Sequence, residues 1–194
     1  MGCLKGRIWW SRGWRPTRVF EIRRLAAGEV DERLAEFVGL LRDAVESGGC
    51  LGFVKPVEGD KLERYWRGVA REMEAGEREL LAAIEHGRVV GTLQIAYEKA
   101  ESVRHRADLQ KLMVHAEEQR RGIARALLVA ALERMPALGL LMYTMTTRSG
   151  GPAEGLARSL LFNRYGVMPH YGLTPEGLLH DASMHYIARP VVEE

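Results

Sequence analysis

The sequence predicts one mixed α/β domain, a central sheet flanked by helices. Three observations point there. Residues 80–97 hold two apolar arms around His86-Gly87, the pattern of a hairpin. Residues 107–147 read as strand, basic turn, helix and strand, a βαβ unit. Two amphipathic helical stripes precede the hairpin. A chain of 194 residues can bury a full core, and 46% hydrophobic with 28% charged residues is globular composition.

Residues 1–17, with Trp9, Trp10 and Trp14, are expected as an extension, packed on a surface or flexible, before a domain over residues 18–194. Val19 to Leu25 begins as an alternating strand. Asp31 opens a helix whose Leu34, Phe37, Val38, Leu41 and Val45 form one apolar face. Ser47-Gly-Gly-Cys-Leu-Gly52 stops it. Lys61 to Ala75 is a second amphipathic helix. In the second hairpin arm Val89, Leu93, Ile95 and Tyr97 share a face. Strand 107–115, helix 122–135, strand 138–147 and helix 153–165 follow. Short extended pieces are expected around Tyr171 and from Met184 to Ala188. The order is β-α-α-β-β-β-α-β-α-β.

Charge and cysteine content narrow the partners. A net charge of +2 forces neither a nucleic-acid nor an anionic-membrane partner. Cys3 and Cys50 fit no zinc spacing or disulfide framework, as expected of a reducing cytoplasm. No apolar run reaches membrane-spanning length. Lys5, Arg7, Arg12, Arg15 and Arg18 interrupt any signal peptide, and Gly6 stands where a myristoylation start expects Ser or Thr.

The turn of the βαβ unit carries the chemistry. It runs Gln119-Arg120-Arg121-Gly122-Ile123-Ala124-Arg125. The first amides of a helix have no helical partner and its dipole adds positive charge, so a helix start attracts anions. Gly122 lets the backbone approach a pyrophosphate. Gln119, Arg120, Arg121 and Arg125 surround that point with donors. The competing reading is a solvated basic turn before the stripe of Ile123, Leu127, Leu128, Ala131 and Leu132.

The pattern Gln-x-x-Gly-x-Ala in this setting resembles the acetyl-coenzyme A motif of the GCN5-related N-acetyltransferases, the GNAT superfamily. Arg88-Val-Val-Gly91-Thr-Leu-Gln94, His105-Arg106-Ala-Asp108 through Lys111-Leu-Met-Val-His115, and Pro169-His-Tyr171 through Pro175-Glu-Gly177 with Asp181 and Tyr186 resemble the branch that contains tabtoxin resistance protein. The resemblance covers about residues 18–189. It implies the GNAT fold, a mostly antiparallel sheet splayed between its fourth and fifth strands. It also implies acetyl-coenzyme A as co-substrate and the amine of a small molecule, such as a toxin or antibiotic, as acceptor. A homodimer fits the resemblance. An acceptor amine on a protein, or a coenzyme A-binding module without catalysis, are the alternatives.

The chain departs from that branch after the fifth strand. Read without a gap, Thr146 stands at the usual Asp, Ala157 at the usual Tyr and Leu161 at the usual Gly. Read with a gap, Phe162 replaces the Tyr and Tyr165 lies three positions beyond.

Acetyl transfer needs a neutral amine, and an alkyl ammonium has a pKa of about 10.4. A base is therefore useful, by about 10²–10⁴-fold. Asp108 is the first candidate; a surface carboxylate paired with Arg106 is the other reading. Tyr165 is the candidate acid, or else a helix-end packing residue. The leaving thiol has a pKa of only about 8.5, so the acid matters little. The resemblance implies that a backbone N–H near Met113 or Val114 receives the oxyanion. His115 either touches the pantetheine arm or is structural. The acceptor pocket is expected from the first two helices and the loop Val54–Glu58, with Tyr65 and Trp66 in it or in the core. Glu58, Asp60 and Glu63 would favour a cationic acceptor, or form a solvated face.

Overall fold

The computed structural model describes residues 20–190. The expected extension over residues 1–17 lies outside them. The hairpin forms as β2 (Arg78–Glu85) and β3 (Arg88–Tyr97). Its turn residues have φ values of 50° at His86 and 77° at Gly87. Positive φ at both centres is what a two-residue turn between twisted strands requires. A register shift at Ala83/Ile84 moves Val89 to the opposite face from Leu93 and Ile95, which corrects the single face read from alternation.

The strands before and after extend this hairpin. β1 (Phe20–Leu25) pairs with β2, and β4 (Arg106–Val114) with β3, both antiparallel. β5 (Met142–Arg148) joins β4 in parallel, and a second hairpin of β6 (Asn163–Leu173) and β7 (Leu179–Ala188) completes the order β1-β2-β3-β4-β5-β7-β6. The expected mixed, mostly antiparallel sheet is thus present.

Helices cover the sheet on both faces, and each face has its own core. The helix expected from Asp31 is two, α1 (Ala27–Glu32) and α2 (Leu34–Glu46), broken at Arg33. The Arg33 guanidinium donates to the Gly87 carbonyl at 2.8 Å, tying the break to the first hairpin turn. No side chain caps α2, but it buries Phe37, Val38, Leu40, Leu41, Ala44 and Val45. A buried large apolar side chain stabilises by about 1.5–3 kcal/mol and a cap by about 1, so burial dominates. α3 (Gly59–Glu74) adds Leu62, Trp66, Val69 and Ala70, with the Trp66 ring 4.7 Å from that of Phe37. Trp66 is therefore core. On the other face α4 (Ile123–Arg134) lays Ile123, Leu127, Leu128, Ala131 and Leu132 against Leu93, Ile95, Leu109 and Tyr143.

Three boundaries differ from the pattern. After α4, Leu140 N–H closes on Met135 C=O with Gly139 at φ 67°, so the apolar run from Leu138 caps a helix before it becomes a strand. α5 (Pro152–Ser159) stops where Leu161 turns left-handed at φ 64°, and does not reach residue 165. Leu160, at helical spacing from Ala157, and Phe162, two positions on, are both buried at that turn. The tail is a long hairpin, its strands held by paired backbone where side-chain alternation is weak.

Candidate active site

β4 and β5 are paired only over Arg106–Asp108 and Met142–Thr144. Past Asp108 the strands part, and the free edge of β4 runs up to the basic turn. His115 N–H donates to the Val90 carbonyl at 3.0 Å, on the β3 side. Strand alternation then turns Val114 to the open side. The Gln119 side-chain amide reaches the Val114 carbonyl at 3.5 Å, on that same side. Met113 faces β3 and is buried. Of the two backbone groups, only Val114 N–H points into the splay.

The splay ends at the start of α4. Gly122 is its N-cap at φ 85° and ψ 2°, and no side chain caps the first turn. Ala126 N–H is the donor that closes on Gly122 C=O, at 3.0 Å, which leaves the amides of Ile123, Ala124 and Arg125 ahead of it. Gly91 seats this helix end. A Cβ there would lie 3.0 Å from the Met113 carbonyl and 3.1 Å from the Ile123 side chain. Gln119 and Arg120 are exposed, and Arg125 reaches Ser159 of α5 at 3.0 Å. Arg121 is committed elsewhere, donating to Glu85 at 2.8 and 2.5 Å and pairing with Glu118. An uncapped turn, a left-handed glycine and exposed donors fit a pyrophosphate; Arg121 holds the turn's shape. His115 is structural: its ring lies 3.3 Å from Asp43, which also accepts Ala116 N–H at 2.7 Å.

Asp108 stands where the strands part. It accepts Thr144 O–H at 2.8 Å and Gln110 N–H at 3.0 Å. Arg106 pairs with Glu98 instead. Burial raises the Asp108 pKa, and the two hydrogen bonds oppose that rise. Gln110 continues the network, accepting Arg78 at 3.0 Å; Arg78 also donates to Gln94 at 2.7 Å and to Glu72 at 2.5 Å. Tyr65 O–H donates to Gln94 at 3.0 Å, and burial pushes its pKa up to about 12. Tyr65 therefore stays a donor. The sequence pattern offered no signal for Thr144, Gln110 or Arg78, because their roles exist only across strands.

The loop after α2 meets the tip of the β6–β7 hairpin: Lys55 N–H donates to the Pro175 carbonyl at 2.9 Å, and its ammonium meets Glu176 at 3.0 Å. Glu58, Asp60 and Glu63 are exposed, and Glu63 faces Arg67. The charges beside the aromatic rings of this loop and of α3 are instead Lys111, over the Phe53 and Tyr65 rings, and Lys61, over Phe53.

Tyr165 is on the edge strand β6 and 60% exposed, with its ring 6.0 Å from Tyr186. It is not the helix-end residue the pattern implied. Tyr186 is opposite Thr144, itself opposite Asp108, so these three share a row and a face. Tyr186 is the hydroxyl nearer the splay. Ala157 and Phe162 are buried in the α4–α5 core. Among the described residues no cluster could hold a metal ion, and no helix is long and apolar enough to cross a membrane.

Comparison with known proteins adds to this geometry. Residues 52–160 match the acetyltransferase (GNAT) family. The chain is 32% identical over 108 residues to an uncharacterized N-acetyltransferase in the hisH-hisA intergenic region of Azospirillum brasilense. That match takes in 55% of this chain and 62% of the relative, less than two thirds of its length. An N-acetyltransferase from Staphylococcus aureus Mu50 superposes with a TM-score of 0.72 at 16% identity, over 88% of this chain and 99% of the other. The protein yncA from Salmonella typhimurium, solved with its cofactor acetyl-CoA, gives 0.70 at 18%, over 91% and 99%. A ribosomal-protein-alanine N-acetyltransferase from Brucella melitensis gives 0.72 at 22%, over 87% and 99%. The structural likenesses show the fold. The family match spans more than half of the chain, and the protein belongs to the GNAT acetyltransferase family, enzymes that use acetyl-coenzyme A.

Proposed function

We propose that this protein transfers the acetyl group of acetyl-coenzyme A to the primary amine of a small molecule, by direct attack. The observation that carries the reading is Asp108, half-buried at the point where β4 and β5 part, with its carboxylate held by Thr144 and Gln110. The donor supplies an activated acetyl thioester. Gly122 and the amides of residues 123–125, with Gln119, Arg120 and Arg125, hold its pyrophosphate. Val114 N–H receives the charge that develops on the acetyl oxygen. Asp108 takes the proton of the acceptor ammonium, directly or through water. Tyr186 or water returns a proton to the thiolate, a modest demand at a pKa of about 8.5.

The Lys55–Pro175 bridge, which ties the loop after α2 to the β6–β7 hairpin, supports a small acceptor over a polypeptide. The motifs shared with tabtoxin resistance protein support the same choice and admit a toxin or antibiotic. A cytoplasmic setting, where acetyl-coenzyme A is available, belongs to this reading. So does a homodimer, to which the exposed apolar residues Val167, Tyr171, Leu173, Leu178 and Leu179 of the β6–β7 hairpin lend a face. The test is thiol release from acetyl-coenzyme A over a panel of amines, beside a titration of the donor. Turnover on small amines supports the reading. Donor binding with no thiol release on any amine would make the chain a binding module.

A further inference from the structure

Several cations of the described residues sit beside carboxylates: Lys55 on Glu176, Lys99 on Glu77, Arg78 on Glu72, Arg121 on Glu85. Lys111 and Lys61, beside Phe53, are among those that do not. Lys111 leaves β4 at a register shift, with φ 50°, just where the free edge of the splay begins. Its ammonium is half-buried, 2.6 Å from the Leu51 carbonyl, and lies 5.9 Å from the centre of the Phe53 ring and 5.5 Å from that of Tyr65. Lys61, from the first turns of α3, approaches the same Phe53 ring at 5.4 Å. Among the described residues neither ammonium has a carboxylate within ion-pair distance.

That arrangement is costly without a counter-ion. A half-buried ammonium has lost part of its water, and Lys61 brings a second ammonium to the same Phe53 ring. One carbonyl satisfies one of the three N–H groups of Lys111 and leaves two donors for a ligand. Burial and the nearby Arg78 charge both lower the Lys111 pKa, as expected of an ammonium lacking an anion. The anion that fits is small and singly charged. Arg78 Nε and Nη1 are already taken by Glu72, Gln94 and Gln110, so neither edge of the guanidinium offers a full pair of donors to a phosphate.

Resting on the acetyl-transfer reading, we infer that the acceptor is an amino acid or a similar amine carrying a carboxylate, and that Lys111 and Lys61 bind that carboxylate beside Phe53. Its amine then lies toward Asp108, three positions back along β4, on the order of 10 Å at strand rise. Lys111 and Lys61 act as specificity residues. The pair also disfavours polyamines, whose second ammonium would meet two like charges.

The experiment compares glycine, β-alanine, γ-aminobutyrate and 6-aminohexanoate with their methyl esters and with butylamine, in wild type and in K111M and K61M. The acids should exceed their esters in kcat/KM at one or more lengths by about tenfold or more, through KM, as expected of hydrogen bonds to a charged group. K111M should bring the acid-to-ester ratio close to one, and exposed K61M should lower it part of the way. Butyrate, which has no amine, should bind wild type in a calorimetric titration and bind K111M more weakly. Esters and butylamine used as well as the acids, or a ratio unmoved in both variants, overturns the assignment while leaving acetyl transfer intact. Donor binding without thiol release on any amine overturns acetyl transfer. The butyrate titration then still decides the carboxylate site, and absence of binding removes it.

Discussion

The two ends of the splay in β4 are built from different materials. At the end near α4 the chain offers backbone: uncapped amides, a left-handed Gly122, and a close approach at Gly91. At the end near Asp108 it offers side chains drawn from four strands, Arg78, Gln94, Asp108 with Gln110, and Thr144. On the proposed function, the first end would bind by backbone geometry that the turn before α4 and Gly91 specify. The second end would work by a pKa, and a pKa depends on every neighbour. Substitutions at the donor end should therefore change affinity, and substitutions at the Asp108 end should change rate and pH dependence.

The largest effect is expected at Asp108. D108N should lower kcat by about 10²–10⁴-fold and leave acetyl-coenzyme A affinity alone. Unchanged turnover would remove the base from this end. The same variant tests the cost of the buried charge. Because burial raises the folded-state pKa, the folded state holds its proton more tightly than the unfolded chain. Wild-type stability should then fall as pH rises from the ordinary carboxylate range through the raised value. D108N should lack that fall, which melting curves from pH 3 to 8 would show.

Next comes Gly122. G122V places a β-branched residue at φ 85°, a strain of about 1–3 kcal/mol, and brings a side chain to the anion. Donor affinity should drop by about tenfold to hundredfold, with kcat at saturation nearly kept. If kcat falls in step with affinity, the two ends are not separable. A smaller change is expected from T144V. It removes the O–H that steadies the Asp108 carboxylate, so the pKa of that carboxylate should climb further. The acidic limb of the rate profile, where Asp108 must lose its proton, should shift to higher pH, with turnover at neutral pH lower by a few-fold, about 1 kcal/mol. The smallest concerns the leaving thiol: Y186F should slow turnover by at most about tenfold, and Y165F should do less, being one strand farther out. F162Y should gain no more than the same factor. A157Y would overpack a fully buried position and is not a usable probe.

This contrast also explains what could be read before the fold was seen. The turn, the glycine and the helix after it are contiguous, so residues 119–125 could be read as a candidate anion site from the sequence, with a solvated basic turn as the other reading. The first hairpin and the parallel β4–β5 pair followed from hairpin and βαβ patterns, whereas the tail hairpin that ends the sheet order β5-β7-β6 was read only as short extended pieces. Arg121 was misjudged because its partners, Glu85 and Glu118, come from another strand and from the turn before it. Tyr165 was placed on a helix because the apolar residues continue past Ser159, where no Gly or Pro marks the stop, and the left-handed turn falls on Leu161. Thr144 and Gln110 carry no pattern of their own. The acidic trio Glu58, Asp60 and Glu63 drew notice by composition and proved solvated, whereas Lys111 counted as an ordinary strand residue.

The brief pairing of β4 with β5 has a mechanical consequence. Two half-sheets, β1–β4 and β5–β7–β6, meet along a seam only from Arg106 to Asp108 on one side and Met142 to Thr144 on the other. Leu141 N–H adds a bond to the His105 carbonyl at 2.7 Å at one end, while past Asp108 and Thr144 no strand pairing holds the seam, so tilting of the half-sheets about Asp108 is the motion to expect. A donor lodged in the gap would bridge the seam. Amide exchange at Val114 and across β5 should slow on adding acetyl-coenzyme A, well beyond the residues that touch it, and departure of the product would then be governed by how readily the seam reopens.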